Sequence, residues 1–76
     1  MIGKAIKHMR NNTKYNQEKL AKKINIARTT YAGYEQGYRE PTFDTTEKIA
    51  NICGYKIYFE NDNEKFELKD LRRKDI

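Results

Sequence analysis

The chain has 76 residues, 36% of them charged and 37% hydrophobic, with a formal charge of +5 at neutral pH. That length suits one compact domain near the lower limit of what a single core stabilises, and the composition fits neither a disordered chain nor a membrane protein. The charge is uneven: residues 1–40 carry nine Lys and Arg against three acids, whereas residues 41–76 carry seven against eight. The first half can therefore face a polyanion, an ordinary solvated basic surface being the plainer alternative. Cys53 is the single cysteine, so a disulfide within this sequence and a CxxC metal site are both excluded, which suits a reducing interior. The segment MIGKAIKHMR lacks the apolar run of a signal peptide, and no stretch approaches the roughly 18 apolar residues of a membrane span. A cytoplasmic location without membrane attachment is the expectation.

Ile2, Ala5, Ile6 and Met9 recur at the spacing of an amphipathic helix, with Lys4, Lys7 and Arg10 off the stripe. Asn11-Asn12-Thr13 ends that helix. Asn16 is placed to cap a second, Gln17 to Ile24, whose apolar face is Leu20, Ala21 and Ile24. Asn25 tolerates the left-handed backbone needed to turn sharply out of it. A third helix is predicted over Ala27 to Gln36, with Ala27, Tyr31 and Tyr34 on one face and Gly37 as its stop. Thr42 can cap a fourth, Phe43 to Cys53, in which Phe43, Thr46, Ile49, Ala50 and Cys53 share a face and Gly54 terminates the run. The period then changes to two. Tyr55 to Glu60 and Glu64 to Leu68 alternate around Asn61-Asp62-Asn63, and a two-residue Asp62-Asn63 turn pairs Glu60 with Lys65, Phe59 with Phe66, Tyr58 with Glu67 and Ile57 with Leu68. That register gathers Ile57, Phe59, Phe66 and Leu68 on one face. Lys69 to Ile76, highly charged, reads as a frayed tail.

Two short helices joined by a tight turn, the second polar on its outer face, are what inserting a helix into the major groove of DNA requires. The stretch QEKLAKKINIARTTYAGYEQG followed by REP meets that requirement and resembles the Cro and C1 repressor type of helix-turn-helix, the XRE family. The resemblance covers residues 2 to 54. It implies a mainly α, four-helix lambda-repressor-like domain over residues 1–54, here followed at 55–76 by a β-hairpin and charged tail as a dimerisation element of the same domain. In the family pattern Gln17 opens the second helix, Ala21 is the small residue where the two helices touch, Ile26 and Tyr31 face the core, and Tyr34-Glu35 with Gly37 closes the third. Asn25 departs from the usual turn glycine, Ala27 from the usual Ser or Thr cap, and the tyrosines at 31 and 34 from Ile and Trp or Leu. The hairpin stands where many relatives have a fifth helix, as in members, some antitoxins among them, that add a strand or hairpin for dimerisation.

On the outer face of the third helix stand Arg28, Thr29, Ala32 and Gly33, with Thr30 at its flank. Arg28, Thr29, Thr30 and Gly33 are the candidate base contacts: a guanidinium can bond guanine O6 and N7 together, a threonine can bond a base or meet a thymine methyl, and Ala32 and Gly33 allow close approach. For Arg28 a phosphate or plain solvent is the alternative. Gln17, Lys14, Lys19, Tyr38 and Arg39 are the candidate phosphate contacts, the last two because the loop after the third helix runs beside the DNA backbone in relatives. Lys22 and Lys23 point about 100° apart, so not every lysine of the second helix can face DNA. In some family members an Arg in the first helix pairs with the acid at the Glu35 position, which makes Arg10 and Glu35 either a structural ion pair or, for Arg10, a phosphate contact.

His8 lacks partners at ligand spacing, and the chain shows no phosphate loop, activated nucleophile or paired carboxylates, so neither metal, cofactor nor enzymatic activity is expected. Tyr31 and Tyr34 read as core packing, with base stacking as the rival. One recognition helix covers too few base pairs for selectivity, so a homodimer on an inverted-repeat operator is expected. Tyr55, Ile57, Phe59, Phe66 and Leu68 are its candidate interface, an intramolecular cap on the core being the alternative. Three functions remain open: a repressor binding double-stranded DNA, an antitoxin or co-regulator binding DNA and a protein partner, and a protein-interaction adaptor that no longer binds DNA.

Overall fold

The computed structural model describes residues 2–72, arranged as α1 (Ile2–Asn11), α2 (Gln17–Lys23), α3 (Arg28–Gln36), α4 (Phe43–Ile52), β1 (Tyr58–Glu60), β2 (Lys65–Glu67) and α5 (Leu68–Arg72). The first four helices enclose one core of Ile6, Leu20, Ala21, Ile24, Tyr31, Ile49 and Ala50, with Ile2, Met9, Tyr15, Ile26, Tyr34, Ile52 and Cys53 packed around it. Among the described residues no helix is long and apolar enough to cross a membrane.

The local signals act where their chemistry places them. Asn16 Oδ1 accepts from the Lys19 amide at 2.7 Å and starts α2; Thr42 Oγ1 accepts from the Thr45 amide at 3.1 Å and starts α4. Each side chain satisfies one amide that the first helical turn leaves without a partner. Asn25 makes the tight turn with φ 62°, and Gly37 and Gly54 end their helices at φ 87° and 86°. Ala27 is extended at φ -68° and ψ 145°, so it is the N-cap and α3 starts at Arg28, one residue later than the pattern suggests; its side chain supplies no capping hydrogen bond.

The stripe of α1 needs one correction. Ala5 is exposed, and Gly3 is buried in its stead. α1 lies so close to the end of α3 that a Cβ built on Gly3 would fall on the Tyr34 carbonyl oxygen and lie 2.8 Å from that of Glu35. The helix is thus rotated towards the one residue without a side chain, which admits the backbone of α3.

The strands pair antiparallel in the expected register, Tyr58 with Glu67, Phe59 with Phe66 and Glu60 with Lys65, and the Leu68 amide continues the ladder to the Ile57 carbonyl at 2.8 Å. Asn61 closes the turn: its Oδ1 accepts from the amides of Asn63 and Glu64 at 2.8 and 2.9 Å. Phe59 and Phe66 stack with ring centroids 5.5 Å apart. Asn12 Nδ2 donates to the Tyr55 hydroxyl at 2.9 Å and ties the end of α1 to the segment that leads into the hairpin. The frayed tail is corrected in part: Leu68 to Arg72 form the short helix α5, while residues 73–76 of that expectation lie outside the described residues.

Candidate nucleic-acid interface

The site is built on a buried carboxylate. The Glu35 side chain, 2% exposed, lies on the inner side of α3 and receives four hydrogen bonds. Arg10 of α1 donates from Nε at 2.6 Å and Nη2 at 3.2 Å, Gln17 of α2 donates from Nε2 at 2.9 Å, and the Tyr31 hydroxyl, one turn back on α3, donates at 2.6 Å. Three helices are therefore fixed to one charge, and among the described residues no buried side-chain polar atom lacks a partner. Burial by itself would push the Glu35 carboxyl up, but the hydrogen bonds from Arg10, Tyr31 and Gln17 outweigh it and hold the group below the usual carboxylate range. The same contact raises Arg10, and burial followed by the bond to Glu35 raises the Tyr31 phenol.

Arg10 is committed further inward by a 3.3 Å bond from Nη1 to the Tyr15 carbonyl. Thr13 braces that corner, its hydroxyl donating to the Arg10 carbonyl at 2.6 Å and accepting from the Tyr15 amide at 3.0 Å. Neither Thr13, Tyr15 nor the Tyr31 hydroxyl announces its role in the sequence, because Thr and Tyr donors are common and their partners lie on other elements. Gln17, a candidate phosphate ligand, spends one amide hydrogen on Glu35 and retains the other.

The opposite side of α3 is open. Arg28 and Thr29 are exposed, Thr30 and Ala32 half-buried. Lys14, ahead of α2, and Lys19, Lys22 and Lys23, on it, are exposed, and the Lys23 ammonium stands 5.8 Å from the centre of the Tyr15 ring. Beyond α3, Tyr38 is 83% exposed and Arg39 is exposed. Gly33 is the exception. It was expected on the open face but is buried, because the chain beyond Gly37 folds back over it: the Tyr38 and Arg39 amides donate to its carbonyl at 2.9 and 3.2 Å, and the Arg39 side chain lies across it. Tyr31 is fully buried and Tyr34 meets it edge-on at 6.3 Å, so the pair packs the core and offers no stacking platform.

Of the five hairpin residues expected at an interface, Phe59 is exposed and Tyr55, Ile57, Phe66 and Leu68 are half-buried. Tyr55 and Ile57 line an open cleft of about 520 Å³ with Ile2, Met9, Phe43 and Ala50. His8 is exposed at the end of α1, and among the described residues no three His, Cys, Asp or Glu side chains cluster as a metal site.

The family model described as helix-turn-helix matches residues 6–59. The transcriptional regulator ImmR of Bacillus subtilis strain 168 is 37% identical over 51 residues, which are 67% of this chain and 40% of that protein. The cryptic phage CTXphi transcriptional repressor RstR of Vibrio cholerae is 35% identical over 57 residues, 75% of this chain and 51% of that protein. The SPbeta prophage-derived regulator YonR of Bacillus subtilis strain 168 is 36% identical over 59 residues, 78% of this chain and 55% of that protein. The chain thus spans about half the length of the curated relatives it matches. No solved structure gives a significant match. With a match over most of its length, and α2 and α3 joined by a tight turn at Asn25, the chain belongs to the helix-turn-helix family of the Cro and C1 repressor type, a DNA-binding and non-enzymatic family.

Proposed function

We propose that the protein is a transcriptional repressor that binds double-stranded DNA sequence-specifically as a homodimer, with α3 in the major groove. The observation that carries this is the division of α3 into two faces. Tyr31 and Glu35 lock one to α1 and α2, and that lock holds the exposed Arg28 and Thr29, with half-buried Thr30 beside them, on a rigid support. Arg28 and Thr29 read base edges from the first turn of α3, Thr30 assists at its flank, and Gln17, Lys14, Lys19 and Tyr38 meet the flanking phosphates. The excess of cations in residues 1–40 supplies the attraction that does not depend on sequence. The phage and prophage regulators among the relatives support repression by occupying an operator.

Dimerisation is assigned to the hairpin. Tyr55, Ile57, Phe59, Phe66 and Leu68 leave apolar area uncovered, as expected of an element that a second copy completes. Selection of bound duplexes from a random pool tests the whole reading. An inverted repeat with half-sites about one DNA turn apart is expected, and recovery of no preferred sequence, or of a lone half-site, contradicts it.

A further inference from the structure

The Arg39 side chain is anomalous for a residue of an exposed loop, because it lies on the outward face of α3. Successive residues of an α-helix turn by about 100°, which places Gly33 roughly 200° round from the buried Tyr31 and beside Thr29, about 40° away on the same outward side. A residue in that position belongs in solvent, yet Gly33 is buried. The cover is Arg39: a methyl group built on Gly33 would lie 3.2 Å from both Cγ and Cδ of Arg39 and 3.6 Å from its Cβ. The Arg39 and Tyr38 amides both bond the Gly33 carbonyl, so the base of the side chain is fixed as well as its stem. Glycine is a poor helix former, and here its missing side chain is the seat of another.

We propose that Arg39, seated on Gly33, is a specificity-determining residue that reads a base edge in the major groove, taking the place on α3 that Gly33 leaves vacant. This rests on the proposed docking of α3 in the major groove. Arg28 lies only about 60° from the Tyr31 direction, at the border of the outward face, whereas the stem of Arg39 crosses its middle. The natural target of the planar guanidinium is the O6 and N7 pair of a guanine. A stem held at two backbone hydrogen bonds and along its methylenes delivers that fork with little freedom left to lose. Gly33 is then a positioning residue: it contributes no contact of its own to DNA and sets the path of Arg39.

The test compares the full chain with its Arg39→Lys, Arg39→Ala and Gly33→Ala variants. Each is first shown to unfold cooperatively, then titrated with the duplex the parent protein selects and with every single-base-pair variant of it, at several salt concentrations. Arg39→Lys keeps the charge and removes the fork, so discrimination at one base pair of each half-site should fall by about ten-fold, with affinity for unrelated duplex and the salt dependence unchanged. Gly33→Ala should relax the same base pair, and joining it to Arg39→Lys should relax it no further. The proposal is overturned if Arg39→Lys discriminates as the parent does while Arg39→Ala weakens all duplexes alike and lowers the salt slope by about one, the behaviour of a phosphate contact. It is equally overturned if Gly33→Ala leaves the preference intact. A parent protein that binds no duplex refutes the docking of α3 itself, a result separable from both.

Discussion

The helical part of the molecule and the hairpin use their apolar residues in opposite ways. Among the described residues the seven buried hydrophobic ones lie in α1 to α4 or at the turn directly after α2, and their charged centre, Glu35, is satisfied from three helices. β1 and β2 bury none of their residues completely, and Tyr58 and Phe59 are 47% and 43% exposed. The difference teaches that the helices enclose a core of their own and leave mainly Phe43, 50% exposed at the start of α4, uncovered beside the cleft, whereas the hairpin closes no core and has apolar surface left to give. A two-stranded ribbon is marginal by itself, so the hairpin takes its order from the segment leading into it, where Tyr55 bonds the Ala50 carbonyl and Asn12, and, on the proposed function, from a second copy.

The sharpest way to break the comparison is at its charged centre. Arg10→Met leaves Glu35 buried with its main partner gone and should cost about 3–5 kcal/mol by denaturant unfolding; unchanged stability would show that the ion pair does not hold the helices together. Next comes Gly3→Ala, where the new methyl meets the Tyr34 carbonyl and the helices must move apart, a loss of about 1–3 kcal/mol in the same measurement. Tyr31→Phe removes one donor to a charged acceptor and should cost about 1.5 kcal/mol.

Acidification probes the same carboxylate more gently. Glu35 is held below its unfolded value, so its contribution is complete above the ordinary carboxylate range and is lost as pH falls through the lowered folded value. The stability advantage of the parent protein over Glu35→Gln should accordingly shrink between about pH 4.3 and more acid conditions, and a gap that widens on acidification would reverse the sign. The smallest change in stability belongs to the hairpin: Phe59→Asp should change the unfolding free energy of the monomer by no more than about 0.5 kcal/mol yet abolish association seen by light scattering. A large loss of monomer stability would make the hairpin a cap on the core.

What could be read from the sequence was whatever depends on neighbours along the chain. Asn16 and Thr42 cap because their oxygens reach amides three residues on, Asn25 turns because its side chain tolerates φ 62°, and the hairpin register follows from the turn at Asn61 to Asn63. What could not be read depends on paths through space. Gly33 looked open because nothing local shows that Arg39 returns over it, and Gly3 looked incidental because its partner is backbone more than thirty residues away. The pairing of Arg10 with Glu35 was implied by family resemblance, while the Gln17 and Tyr31 donors that complete it were not. Short α5 lay in a segment whose charge density suggested no order.

Titration of the isotope-labelled protein with its selected duplex, followed residue by residue through amide chemical shifts, tests the central claim most directly. The expected perturbations centre on residues 28–33 of α3, with Gln17 and Arg39, and leave β1 and β2 nearly unmoved by DNA. Perturbations confined to the hairpin, or none at low salt, would contradict the claim that the outward face of α3 is the reading surface.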